Sequence, residues 1–454
     1  MYKMNVLKSI SIFFFFGLAL MGCEKKNPNF QQETANSEFL HRSMLELTSI
    51  IKHDLFPPMI AARIYAYAHL AAYEALNPNA EGYLSLSGQL KGLGEMPKPQ
   101  AGKEYCFPLA SVKAYLKVGK KLIFSEDSIT AFEQKIFKEF KEKGIPKDVY
   151  ERSILYGDTI GGAIIVWSAK DNYAQTRTMP KYTVTPSNPT RWRPTAPDYA
   201  DALEPHWGKI RPLVMDSAAQ FKPAPATPFD SSKTSQFYKE AYEVYQTVAD
   251  STPERIAIGQ YWDDSPASTS NAGHVNFVIK KITPPGHWLH VAMYASRQQK
   301  KTILEVAELY AKLAISEFDA SISCWNEKYR SEVIRPETYI SKYIAPDWVP
   351  IIVTPPFPEY PSGHSVFSGA AATTLNALLG SNVSFTDSTE WQFGMAPRTF
   401  PSFDEAAQQA AISRMYAGIH YRPACDNGIK QGIDVGNYVL QKVKTRKEGS
   451  HLKN

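Results

Sequence analysis

The sequence predicts an all-α protein, built as helical bundles in two four-helix-bundle-like halves joined by long proline-rich loops. Three observations predict it. Apolar residues recur at helical spacing in segment after segment, clean alternation over strand lengths is scarce, and the connecting stretches are rich in proline. Hydrophobic residues make up 44% of the 454, and aromatic residues 12%, which supplies a large core and excludes general disorder.

The first element is an address. Lys3 and Lys8 precede a mostly apolar run from Ile10 to Leu20 that holds four consecutive phenylalanines. A run of roughly eleven residues is too short to span a bilayer and suits a secretory signal. It closes in Leu20-Met21-Gly22-Cys23, which resembles a bacterial lipobox. The expectation is a signal peptide over 1–22, lipid on Cys23, a polar tether over 23–36 and one helical domain over 37–454. Such a protein is exported and held to a membrane by its lipid alone, on the periplasmic side or at the cell surface.

The helices follow in order. Residues 37–56 carry Phe39, Met44, Leu45, Leu47 and Ile50 on one face, and 59–76 carry Ile60, Ala61, Ile64, Ala68, Ala71 and Ala72. The same period marks 107–122, 126–143, 148–169, 234–249 and 299–319, then 363–380, 403–418 and 427–444. Between them, 179–232 is crowded with prolines but also holds Trp192 and Trp207. Such large apolar groups point to an ordered loop lying over the helical body.

Charge and cysteine content exclude several functions. Fifty Lys and Arg against 45 Asp and Glu leave a net charge of +5, and no basic run alternates with aromatics, so nucleic acid is not a partner. No Cys-x-x-Cys pair suggests zinc or c-type haem. Beyond Cys23 there remain Cys106, Cys324 and Cys425, an odd set that leaves at least one thiol free and no pairing defined.

Three segments carry the chemistry. In Lys328-Tyr329-Arg330-Ser331-Glu332-Val333-Ile334-Arg335-Pro336, Lys328 and Arg335 stand seven residues apart, which predicts two cations on nearly one helical face. In Pro358-Glu359-Tyr360-Pro361-Ser362-Gly363-His364, Ser362 and Gly363 sit where a helix starts, with unpaired N–H groups facing forward and room for an anion. In Ser413-Arg414-Met415-Tyr416-Ala417-Gly418-Ile419-His420, Arg414 offers a planar fork, and Gly418 can end the helix and let His420 swing toward the same point.

Together these segments resemble the superfamily of type 2 phosphatidic-acid phosphatases and vanadium-dependent haloperoxidases. Its pattern is a lysine, six residues and Arg-Pro; then Pro-Ser-Gly-His; then Ser-Arg, five residues and a histidine. For a haloperoxidase, the resemblance implies one vanadate per chain, coordinated by His420. Lys328, Arg335, Ser362, the Gly363 N–H and Arg414 would hold its oxygens. His364 would serve as the acid–base that deprotonates hydrogen peroxide. Lys328 would polarise the bound peroxide, and halide attack would give hypohalous acid. Trp325 and Phe357 match aromatic positions of the halide pocket. The phosphatases commonly carry an aspartate four residues past the third-motif histidine; Ala424 stands there, with Asp426 the nearest acid.

The wider context, Tyr261-Trp262-Asp263-Asp264 and Thr283-Pro284-Pro285-Gly286-His287-Trp288, resembles bacterial haloperoxidases, notably marine iodoperoxidases. It implies an acid paired with Arg414, for which Asp264 is the candidate and Asp263 is as close in sequence. His206, His274, His287 and His290 fit no metal-ligand pattern and read as structural. The function expected is oxidation of iodide, or bromide, by hydrogen peroxide. The alternatives are an acid phosphatase on the same scaffold and a non-catalytic surface lipoprotein that binds oxyanions.

Overall fold

The computed structural model describes residues 27–447, apart from 79, 186, 266–267 and 273–274. The predicted signal peptide, Cys23 and His274 lie outside the described residues. The first helix, α1 (Phe30–Thr34), buries Phe30 and Thr34, and the Asn27 N–H bonds the Gly144 carbonyl. Packed chain therefore reaches back into the stretch expected to be a tether over 23–36, because Phe30 finds an apolar socket.

Next come α2 (Glu38–His53), α3 (Pro58–Leu76), α4 (Phe107–Leu122), α5 (Glu126–Glu142) and α6 (Lys147–Ser168), close to the predicted periods. Helix α3 packs on α4 and α6, and α2 and α5 close around α4, forming the first bundle. A short turn, α7 (Tyr173–Thr176), opens the proline-rich stretch. That stretch lies over the body with Trp192 and Trp207 buried. The N–H groups of Leu213, Val214 and Met215 converge on the buried Asp319 carboxylate at 2.6, 2.8 and 2.9 Å. An acceptor shared in this way satisfies loop backbone that has no strand partner.

The chain continues through α8 (Gln236–Ala249), α9 (Pro253–Tyr261) and an antiparallel hairpin, β1 (Ser268–Ala272) with β2 (Val275–Ile279). Then follow α10 (Pro284–Gln298), α11 (Ile303–Ser331), α12 (Pro336–Tyr343) and α13 (Gly363–Leu379). A small antiparallel pair, β3 (Phe385–Asp387) with β4 (Arg398–Phe400), precedes α14 (Phe403–Tyr416) and α15 (Arg422–Lys442). Helix α13 is the axis of the second bundle, packed on α10, α11, α14 and α15, while α11 also packs on α3 and joins the two bundles.

Besides the short α1 and α7, three helices escape the periodic signal. Helices α9, α10 and α12 each begin with proline in the first turn, where its missing N–H costs nothing. Helix α10 is buried nearly all round, so it has no polar face to set a period. Helix α11 starts at the capping box of Thr302 and Glu305 and runs past the predicted end at 319 to Ser331, carrying Trp325 and Lys328. The axis α13 lies tightly against α15: a Cβ on Gly432 would fall 2.1 Å from the Val366 carbonyl oxygen.

Candidate active site

The three sequence segments meet at one end of the second bundle. Lys328 and Arg335, expected on one helical face, do not share a helix. The backbone leaves α11 at Glu332, which takes φ +50°, and Arg335 is the extended residue before α12. A break in the helix, not its period, brings the second cation back. Ser362 is the N-cap of α13 and accepts the Ser365 N–H at 3.3 Å, so Gly363 and His364 open the helix as expected. After α14, Gly418 takes φ +84°, its N–H reaches the Met415 carbonyl, and the Ile419 N–H reaches that of Arg414. This left-handed helix ending turns His420 back over Arg414.

A cavity of about 310 Å³ opens here, lined by Asp264, Trp325, Phe357, Gly363, His364, Arg414 and His420 among others. Lys328, Arg335 and Ser362 stand behind its wall, fully buried. Trp325 and Phe357 lie together with ring centroids 5.2 Å apart, and the indole sits over the start of α13, within 3.6 Å of where a Gly363 Cβ would be. Trp325 also donates to the Leu203 carbonyl at 3.3 Å, so the proline-rich stretch props the aromatic wall.

The polar contacts show what the site lacks. Arg335 donates through Nε to the Phe357 carbonyl at 2.9 Å and through Nη1 to the Ile419 carbonyl at 2.9 Å, and Nη1 lies 3.2 Å from His420 Nε2. Its Nη2 is buried and has no partner. Arg414 donates to Ser413 Oγ and the Gly259 carbonyl. Lys328 Nζ spends its three protons on the carbonyls of Pro358, Glu359 and Pro361, at 2.9, 3.1 and 2.5 Å, clamping the loop that leads into α13.

Burial depresses every one of these cations: Lys328 to about 7, Arg335 to about 10, and Arg414 below its ordinary value. A cluster of buried positive groups with a spare guanidinium donor calls for an anion. Burial, reinforced by the neighbouring cations, holds both His420 and His364 well below an ordinary histidine, so both are neutral imidazoles.

One residue missed from the sequence fixes His420. Glu359 Oε1 accepts His420 Nδ1 at 2.8 Å and the Tyr421 N–H at 3.0 Å. Its carboxyl is pushed up to about 7 by burial. With Nδ1 as donor, His420 keeps a lone pair on Nε2, the tautomer a metal ligand needs. Asp426, the nearest acid in sequence, is exposed and feels Arg422 and Glu243 instead. The available signal was an acid inside the second motif, three residues before Ser362.

Asp264 departs from its expected pairing with Arg414. Its Oδ1 meets His287 Nδ1 at 2.9 Å, and its Oδ2 lies 3.6 Å from His364 Nε2. Asp263 and Asp264 both act on Arg414 as nearby negative charge. His287 is thus part of the site's surroundings and not simply core. Cys106, Cys324 and Cys425 are free, buried thiols. A cation among Asp264, His287 and Glu390, whose candidate ligand atoms lie within 4.8 Å of one another, has no lone pair to use on His287, because both its nitrogens face carboxylates.

The residues present fit vanadate: His420 is a neutral histidine with an unprotonated Nε2 beside Arg335, that guanidinium keeps one orphaned donor, and Arg414 and the start of α13 line the same cavity as His420. A family model described as the VCPO second helical-bundle domain matches residues 308–449. Comparison with curated proteins gives no match. Holo and apo crystal structures of a bacterial vanadium-dependent chloroperoxidase have TM-scores of 0.67 and 0.65. They cover 92% and 86% of this chain and 97% and 96% of theirs, but at 15% identity they speak for the fold alone. A bacterial vanadium-dependent iodoperoxidase of known crystal structure is 44% identical, with a TM-score of 0.87, over 92% of this chain and 99% of that one. Identity of that degree along nearly the whole of both chains reaches past a shared architecture, and the chain belongs to the vanadium-dependent haloperoxidases, peroxidases of the oxidoreductase class.

Proposed function

We propose that this haloperoxidase holds vanadate at His420 and oxidises iodide, and bromide less readily, with hydrogen peroxide to the hypohalous acid. The observation that carries the reading is the orphaned Nη2 of Arg335, on the same guanidinium whose Nη1 lies 3.2 Å from His420 Nε2. An oxyanion held at His420 Nε2 would give that guanidinium the acceptor it lacks. Arg414, the Ser362 hydroxyl and the Gly363 N–H supply the remaining donors, and the start of α13 favours negative charge. When bound, vanadate supplies a Lewis acid that renders hydrogen peroxide electrophilic toward halide.

The chain's own residues do the rest. His364 is neutral and partly open to the cavity, with its side chain 17% exposed, so it can take the proton that hydrogen peroxide gives up on entry. Lys328 adds positive charge and holds the 358–361 loop in place; to donate toward the oxyanion it must release one of its three carbonyls. Trp325 and Phe357 limit water and offer a polarisable wall to a soft halide. Halide, hydrogen peroxide and one proton then give hypohalous acid and water. The preference for iodide draws support from the 44% identical relative, which is an iodoperoxidase.

The test is halide oxidation by the purified protein before and after incubation with orthovanadate. Turnover should require vanadate and be faster with iodide than with bromide. Efficient phosphate-ester hydrolysis by the apo protein, with vanadate acting only as its inhibitor, would instead assign the site to phosphatase chemistry.

A further inference from the structure

His287, on α10, is fully buried, and neither of its ring nitrogens is free. Nδ1 meets Asp264 Oδ1 at 2.9 Å and Nε2 meets Asp387 Oδ2 at 2.7 Å. Ionised carboxylates only accept, so both nitrogens donate and the ring is an imidazolium. Burial alone would lower its pKa, but the two carboxylates overrule burial and hold it well above an ordinary histidine. Asp387 is itself anchored, accepting the Thr389 N–H at 2.9 Å.

Two of the groups that face His364 rest on this ring. Asp264 gives His287 one oxygen and leaves Oδ2, buried and without a partner, 3.6 Å from His364 Nε2, which is also unpartnered. Trp262, whose carbonyl bonds the His364 imidazole, lies flat on His287 with ring centroids 4.5 Å apart and planes 18° apart.

We infer that His287 is a positioning residue for His364: clamped between Asp264 and Asp387, it turns the free Asp264 oxygen toward His364 Nε2 and braces Trp262. The inference rests on the base role proposed above for His364. A neutral His364 offers Asp264 a lone pair, and two acceptors cannot bond, which accounts for the 3.6 Å gap. Once Nε2 takes a proton, the same geometry becomes a charge-assisted hydrogen bond. The charge on His287 offsets that of Asp264, so the base gains a partner without being trapped protonated. The other charges acting on His364 are Arg414 from α14 and Lys328 from α11.

The experiment compares His287→Phe and His287→Gln in the vanadate-loaded protein, reading kcat, the pH profile of kcat/KM for iodide and vanadate affinity. Phenylalanine keeps the stack on Trp262 but neither donor; its kcat should fall by about 10- to 100-fold, the usual range for a partner behind a reacting group, with vanadate affinity unchanged. Glutamine still donates to Asp264 and should recover most of kcat. Both remove a positive charge near His364, so the acid limb of the profile should move to higher pH. A stationary limb in both variants, or vanadate affinity falling in step with kcat, overturns the inference.

Should the phenylalanine variant not fold, the glutamine variant carries the pH readout by itself, and a stationary limb there overturns the inference equally. His364→Ala separates the two levels of argument. If it retains turnover, the base role and this inference fall together. If it loses turnover while both His287 variants behave as the parent, only this inference falls.

Discussion

Each active-site side chain is set by the atoms it touches, and two histidines in one cavity acquire different tasks that way. His420 has one nitrogen fixed by Glu359 and the other beside Arg335. His364→Ala and His420→Ala should therefore diverge. Loss of His420 removes the proposed bond to vanadium, so vanadate retention and turnover should vanish together, as metal analysis after gel filtration would show. Loss of His364 should leave the cofactor in place and lower turnover by about a hundredfold or more, typical of an acid–base group. If the two outcomes are exchanged, the roles are exchanged. The aromatic wall makes a separate claim. Neither Trp325 nor Phe357 offers an oxyanion a charged donor, so Phe357→Ser or Trp325→His should change the iodide-to-bromide turnover ratio more than vanadate affinity. Unchanged ratios in both variants would make these side chains packing alone.

Between elements, two glycines do distinct work. At Gly418 the backbone is left-handed, and a Cβ would lie 3.0 Å from Val248 Cγ2 and 3.1 Å from Pro350 Cβ. Gly418→Ala should cost about 1–2 kcal/mol from conformation alone, and should also weaken vanadate binding, because His420 lies just beyond Ile419 in the chain. Gly432 is helical and lies in the seam of α13 with α15. Its alanine should lower stability by about 1–3 kcal/mol through overpacking, with vanadate affinity much less affected in the molecules that fold. Thermal unfolding beside vanadate titration distinguishes them; equal losses of affinity would refute the separation.

Over the whole molecule, the second bundle keeps Lys328, Arg335 and Arg414 buried in one place, and an oxyanion is what relieves them. Vanadate or phosphate should therefore stabilise the fold, vanadate by about 2.7 kcal/mol at a hundred times its Kd. Phosphate should displace vanadate and silence halide oxidation. A melting temperature indifferent to both anions would show that the cations are compensated from within the protein. The remaining proposal concerns location. No helix among the described residues is long and apolar enough to cross a membrane. If lipid on Cys23 is the anchor, Cys23→Ser should move the exported protein from the membrane fraction to the soluble one. An unchanged membrane association would remove the lipid anchor from the account.

The sequence by itself determined the helical class, most of the long helices and the identity of the cluster. Helix periods are local, and Lys328, Arg335, Ser362, Gly363, His364, Arg414 and His420 stand in short motifs whose spacing survives as text. It misjudged how two of them converge, because the break at Glu332 depends on where α12 packs. Tertiary structure alone decided the partners. Glu359 holds His420 across 61 residues of chain, and Asp387 holds His287 across 100. Carboxylates are plentiful in the sequence, and which one reaches a given imidazole is a matter of distance in space. The same holds for Asp264, whose charge the sequence placed near Arg414 and whose oxygens the fold turned toward His287 and His364. Local periodicity is written into neighbouring residues, whereas a hydrogen bond between distant segments exists only once the packing of α10, α13 and α14 has brought its atoms together.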